Sequence, residues 1–253
     1  MSLFKFKEFT IAQDRCAQKI GTDAVLLGAW VRTSQEPRTI LDVGSGTGVI
    51  SLMLAQRFPN SHIEAVEIDV DAYEQATENF ENSPWGNRLF CFHAAFQEFY
   101  EEVEERYDLI VSNPPFYDAV SVKNTEQIED KRQQARFDDA LAFEELVYGV
   151  YQLLESDGTF ACIIPKDREK RFLEITSHFQ LEPVRTTYVK GTEDSKVKRC
   201  LMEFRFRAMP AGRQKSVKNN SAIPKIETLV IEKSRHDYTE VYIGLTKDFY
   251  LKM

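Results

Sequence analysis

The stretch TILDVGSGTG, residues Thr39 to Gly48, constrains the fold more than any other part of this 253-residue chain. Ile40, Leu41 and Val43 form a short apolar run that reads as a buried strand, with Asp42 near its carboxyl end. Gly44, Gly46 and Gly48 follow at alternate positions, and the next residues, VISLMLAQRF, hold no Gly or Pro and read as a helix. A strand, a glycine turn and a helix N-terminus in that order make a cradle at the carboxyl edge of a parallel sheet. Glycines there adopt positive φ and let a ligand approach the backbone. A dinucleotide fingerprint spaces its glycines G-x-G-x-x-G. Here the third glycine comes one residue early, Val49 stands in its place, and an acid precedes the turn.

An acid followed by three alternate glycines resembles the first motif, D/E-x-G-x-G-x-G, of the class I S-adenosylmethionine-dependent methyltransferases. The resemblance implies a Rossmann-like α/β fold: a mostly parallel seven-stranded sheet, helices on both faces and an antiparallel C-terminal hairpin. It implies that Asp42, Gly44, Gly46 and Gly48 serve the methionyl part of S-adenosylmethionine. A second strand, HIEAVEI (His62 to Ile68), carries Glu67 at its end, where an acid can accept both ribose hydroxyls of an adenosine. Asp69 or Asp71 then caps a helix whose Ala72, Ala76 and Phe80 share one face. After a third strand, RLFCFH, the class places an acid for the adenine amino group. This chain has His93-Ala94-Ala95-Phe96 instead, and Phe96 is offered to the adenine ring. Ahead of the core, residues 1–38 form a segment expected to cover the cofactor, before a single domain over 39–253. Within it Thr22 is the expected N-cap of a helix through Ala24, Leu27 and Val31. Lys19, Thr22 and Asp23 are candidate contacts to the cofactor's methionine end.

A fourth strand, YDLIVS (Tyr107 to Ser112), delivers Asn113-Pro114-Pro115-Phe116 to the same sheet edge. In the resembled class this motif marks methylation of a planar nitrogen. Such a nitrogen is a poor nucleophile because its lone pair is delocalised into the ring. Two acceptors aimed at its hydrogens favour a more tetrahedral nitrogen with an available lone pair. Asn113 supplies a side-chain oxygen, also within reach of the cofactor, and Pro114 a backbone carbonyl stiffened by Pro115. Phe116 offers a flat face for a base. The sulfonium is already activated, so neither a covalent nucleophile nor a metal is required, and catalysis is positioning plus preorganised electrostatics.

Charge divides the chain. The net charge of −8 splits into −15 over residues 1–165 and +7 over residues 166–253. A basic part on an acidic protein suits one face that meets phosphates. Eight Lys or Arg and one acid, Glu203, lie between Lys196 and Lys218. Lys196, Lys198, Arg199, Arg213 and Lys215 are candidate phosphate contacts there, with Arg136 in the polar stretch 117–140. A helix is expected over 141–155, strands over GTFACIIP (158–165) and 181–189, a helix over 166–179, and a strand in RCLMEFRFR, whose period of two predicts burial mainly on one face. The four cysteines form no C-x-x-C, which suggests neither a disulfide framework nor a zinc site. No N-terminal signal and no long uncharged apolar run is evident, and with these cysteines a reducing cytoplasm is the simplest reading. A monomer without metal or membrane contact is expected.

The block FTIAQDRCAQKIGTDAVLLGAW, joined to LDVGSGTGVISLMLAQR, VEID, SNPPF and the closing LTKDFYL, resembles the bacterial tRNA valine adenine-N6 methyltransferases. That resemblance implies S-adenosylmethionine as cofactor and the anticodon loop of a tRNA as partner. The adenine at position 37, next to the anticodon, would be flipped onto Phe116, and Arg136 fits the family's pattern. Other relatives keep alternatives open. NPPF also occurs in methyltransferases acting on the exocyclic amine of guanine in ribosomal RNA, and NPPY in those acting on glutamine of release factors. The latter carry a separate helical N-terminal domain. A degenerate fold kept as a binding module is opposed by Gly44, Gly46, Gly48, Glu67 and Asn113, all present.

Overall fold

A computed structural model describes residues 2–16, 19–114, 143–207 and 223–253. Pro115, Phe116, Arg136, Arg213 and Lys215 lie outside the described residues, so the expectations for them rest on sequence alone.

The strand ahead of the glycine turn is β3 (Thr39–Val43). It pairs in parallel with β4 (His62–Glu67) on one side and β6 (Tyr107–Ser112) on the other. Flanked on both edges and covered on both faces, its residues 40–43 are all buried, as a central strand of a parallel sheet demands. β5 (Leu89–His93) extends the sheet beyond β4, and β7 (Leu154–Pro165) extends it beyond β6. β9 (Arg199–Phe206) runs antiparallel between β7 and β8 (Leu181–Lys190). The sheet order is β10-β8-β9-β7-β6-β3-β4-β5, where β10 (Lys225–Val230) lies parallel to β8. The mostly parallel sheet and the antiparallel hairpin of β8 and β9 agree with the expected fold class, and β10 adds an eighth strand at the edge. The chain builds outward from β3 first toward β5, then from β6 toward β10. The order therefore reverses between β3 and β6, and a crevice opens beyond their carboxyl ends.

Alternation of side chains sorts the sheet between two cores. Ile40, Leu109 and Ile163 face one core, which α1 (Thr22–Trp30), α2 (Val49–Arg57) and α3 (Val70–Glu81) cover. Leu41, Ile110 and Ile164 face the other, covered by α4 (Phe96–Glu102), α5 (residues 143–153) and α6 (Glu169–His178). α5 ends two residues earlier than expected, because Leu154 already enters β7. α3 starts from Asp69, whose side chain accepts the Ala72 N–H at 2.9 Å, as a capping acid should.

β9 corrects one expectation. Its residues 200–204 are buried on both faces, Glu203 included. The charged odd position is tolerated because Arg185 on β8 pairs with it at 2.8 Å. Arg185 also donates to the Trp30 carbonyl at 2.7 Å and stacks over the Trp30 ring at 3.7 Å, while Glu203 accepts the Arg32 N–H at 2.7 Å. This buried ion pair ties the end of α1 to the sheet.

The first residues form a small hairpin, β1 (Leu3–Lys5) with β2 (Thr10–Ala12). Phe6 bridges to Tyr250, so this hairpin meets the C-terminal tail. Between β10 and that tail lie a short hairpin, β11 (Glu232–Ser234) with β12 (Asp237–Tyr238), and α7 (Glu240–Thr246). No described helix is long and apolar enough to cross a membrane.

Candidate active site

The crevice beyond β3 and β6 holds the glycine turn and Asn113. Gly44, Gly46 and Gly48 take φ of +73°, +55° and +76°. The space in front of Gly44 and Gly46 is open, whereas a Cβ on Gly48 would sit 2.5 Å from the Phe80 ring. The first two glycines therefore leave room for a ligand, and the third lets α2 start against α3.

Four amides of this turn donate within the chain. Gly44 and Ser45 donate to the Val66 carbonyl at 2.9 and 3.3 Å, Gly48 donates to the Ser45 carbonyl at 2.9 Å, and Gly46 donates to Glu67 Oε2 at 2.8 Å. A pyrophosphate cradle needs such N–H groups free and no carboxylate beside them. The turn thus fits a ligand that packs against it without phosphate. Glu67 accepts the Gly46 N–H on one oxygen and the Asp69 N–H at 3.0 Å on the other. Each oxygen keeps a further lone pair, which suits a pair of ribose hydroxyls.

Asp42 sits behind the turn. It is fully buried, so no ligand surface touches it. Oδ2 accepts the Ser51 hydroxyl at 2.7 Å and the Ser51 N–H at 3.2 Å, while Oδ1 has no partner among the described residues. Burial pushes its carboxyl up to about 7, against the pull of the Ser51 hydrogen bonds. The expected contact between Asp42 and the cofactor is replaced by a supporting role: Asp42 fixes the first turn of α2 to the strand end.

A cavity of about 390 Å³ in front of the turn is lined by Lys19, Thr22, Asp23, Gly44, Gly46 and Asn113, among others. The structure thus brings together residues from three distant parts of the sequence. Asn113 follows β6, whose last residue, Ser112, donates its hydroxyl to the Val43 carbonyl at 2.9 Å and so locks the two strand ends. Pro114 is buried next to it. Thr22 is the first helical residue of α1 and not its N-cap; Gly21 holds the cap position and no side chain caps there. That leaves the exposed Thr22 hydroxyl on the cavity wall.

Two placements differ from expectation. Arg199, assigned to phosphate, lines the same cavity and donates from Nε to Asp23 Oδ2 at 2.6 Å. Asp23, a candidate cofactor contact, stands on the cavity wall and is the ion-pair partner of Arg199 there. Phe96, offered to the adenine ring, packs instead on α5: its ring lies where a Cβ on Gly149 would clash at 2.3 Å, edge-on to Tyr100. Lys196 and Lys198 are exposed near the carboxyl edge of β7 and β8, open to solvent.

Sequence reading missed the polar pins beneath the cavity. Asn79 on α3 accepts the Ala12 N–H at 2.8 Å and donates to the carbonyls of Ala12 and Thr47, both at 2.9 Å. Gln13 accepts the Ile20 N–H at 2.9 Å. These buried amides hold the leading segment against the glycine turn. The signal was there: Asn79 shares the inward face with Ala72, Ala76 and Phe80. No group of three or more His, Cys, Asp or Glu among the described residues is arranged to hold a metal.

The family model described as the methyltransferase small domain matches residues 16–180. A tRNA1(Val) (adenine(37)-N6)-methyltransferase of Flavobacterium johnsoniae is 51% identical over 251 residues, 99% of this chain and all of that relative. One of the same description from Christiangramia forsetii is 52% identical, covering 99% of this chain and 98% of the relative. Among solved structures, a predicted O-methyltransferase of Agrobacterium tumefaciens superposes with a TM-score of 0.67, covering 90% of this chain and 96% of its own at 15% identity. That likeness is one of fold.

Proposed function

We propose that this chain, which belongs to the methyltransferase small domain family and within it to the tRNA1(Val) (adenine(37)-N6)-methyltransferases, methylates the N6 amino group of that adenine in its tRNA. The single observation that carries the reading is the convergence of Asn113, the open glycine turn and Thr22 on one cavity. When bound there, S-adenosylmethionine supplies a methyl group on a cationic sulfur.

The chain's own residues do the rest. Glu67 offers lone pairs to the ribose hydroxyls, and Gly44 and Gly46 give the backbone-close space a thioether-bearing chain needs. The Asn113 side-chain oxygen and the Pro114 carbonyl accept the two hydrogens of the amine and turn its lone pair toward the cavity. Neither group is a base. The proton released after methylation leaves from an alkylated, acidic nitrogen to water. The adenine lies in an unpaired loop, so extrusion costs less than in a duplex. Lys196 and Lys198 contact the loop's phosphates. On the sequence reading Pro115 stiffens the Pro114 carbonyl beside the substrate, Phe116 stacks the base, and Arg136, Arg213 and Lys215 contact phosphate. The chain works as a cytoplasmic monomer.

Asn113→Ala tests the assignment. Turnover falls on the order of 100-fold or more, because an interaction that strengthens toward the transition state is lost. Affinity for S-adenosylhomocysteine stays within about threefold. Near-normal turnover would remove Asn113 from the mechanism.

A further inference from the structure

A second cavity, of about 720 Å³, shares Ile20, Gly21 and Thr22 with the first as a common wall. Its volume lies in the range of small-molecule sites, ~300–1,000 Å³. Its other walls come from the N-terminal hairpin, the start of β11, β12, α7 and the C-terminal tail. Phe4, Tyr238, Tyr242 and Tyr250 supply four aromatic rings. Tyr238 lies half-buried, its ring 5.3 Å from that of Tyr242. Tyr242 is buried, and Tyr250 beside it is half-buried. Lys5 and Lys252 are exposed at the rim, and Glu232 lines the wall.

The cavity opens at the same sheet edge as the active site. β8 and β10 run in the direction of β3 and β6, and their carboxyl ends lead into Gly191 and Ile231 on its wall. Arg199, which opens β9 beside the carboxyl end of β7, lines the active-site cavity, and the exposed Lys198 precedes it. Aromatic rings with lysines at the rim, continuous with a site for a flipped base, suit a single-stranded nucleic acid. Bases stack on the rings, and the lysines meet phosphates. Glu232 can accept from an exocyclic amine on a base edge.

We propose that this tyrosine-walled cavity receives a second unpaired base of the same RNA, a neighbour of the target adenine that carries an exocyclic amine. The inference rests on the RNA methyltransferase reading. It assigns Tyr238 as the stacking platform, Lys5 and Lys252 as phosphate contacts and Glu232 as the acceptor.

The test uses the full chain and synthetic anticodon stem-loops in which each loop nucleotide other than the target is made abasic in turn. With the wild-type protein, one such abasic substitution raises the KM for RNA by roughly 5- to 100-fold, the range of one base stack. Tyr238→Ala raises the KM for the intact stem-loop by a similar factor, and the sensitive abasic substitution then adds little. Tyr238→Phe stays near wild type. S-adenosylhomocysteine affinity is unchanged in both, which also shows that they fold. Lys252→Glu, at an exposed position, provides an independent variant and raises the KM for RNA alone. An unchanged KM for RNA in Tyr238→Ala and Lys252→Glu overturns the proposal, as does an effect confined to the cofactor. Should the wild-type protein methylate no RNA while still binding S-adenosylhomocysteine, the parent reading falls and takes the proposal with it.

Discussion

Replacing Asp42 with Asn isolates the charge that the structure buries behind the glycine turn. The carboxyl is fully buried, one oxygen has no partner among the described residues, and burial pushes it up to about 7. In the unfolded chain an Asp ionises near 3.9. The folded value lies above the unfolded one, so the protonated form is the one the fold favours. Its contribution to stability is fully present below about pH 4 and is lost as pH rises through about 7. Between pH 5 and 8 the loss amounts to roughly 3 kcal/mol, or roughly 5–10 °C in Tm for a chain of this length. Asp42→Asn keeps the acceptor for Ser51 and removes the charge. Its amide faces the unpartnered position, which costs about 1–3 kcal/mol at every pH. The informative quantity is therefore the slope. Thermal or urea unfolding of both proteins from pH 5 to 8 gives a wild-type profile that falls by this amount relative to the variant. Parallel profiles would contradict a buried carboxyl raised in this way.

Three other perturbations follow from the same geometry. Glu203→Ala strands the buried Arg185 charge and the Arg32 N–H, and costs roughly 3–5 kcal/mol by urea unfolding; a loss under about 1 kcal/mol would contradict the buried pair. Gly48→Ala meets both a φ of +76° and the Phe80 ring, and destabilises by roughly 2–5 kcal/mol, with part regained when Phe80→Leu is added. Replacing Lys196 and Lys198 together with Ala lowers the slope of log affinity for tRNA against log salt by about 2, and an unchanged slope would take both lysines out of the interface.

The parts of the site legible in sequence were those in which a residue type answers a local demand. Positive φ at Gly44, Gly46 and Gly48 calls for glycine, and Asp69 caps α3 because the helix leaves its first N–H groups unpaired. Long-range pairing was not legible. Nothing near Arg199 announces that it will meet Asp23, 176 positions away, so its charge was counted toward the basic face. Phe96 read as exposed to a ligand because the glycine it packs on, Gly149, lies on another helix. Glu203 looked like a solvent-side charge until Arg185 is seen beside it, since a period of two cannot report what covers the second face. The parallel edge strand β10 shows weak alternation, and only Leu229 within it is buried.

The measurement closest to the centre of this account is transfer of labelled methyl groups to unmodified tRNA, followed by nucleoside analysis. Label is expected in N6-methyladenosine, at an adenine beside the anticodon, and is lost in Asn113→Ala with S-adenosylhomocysteine still bound. Label in 2-methylguanosine or in a protein glutamine would contradict the target, and no label together with no cofactor binding would contradict the site itself.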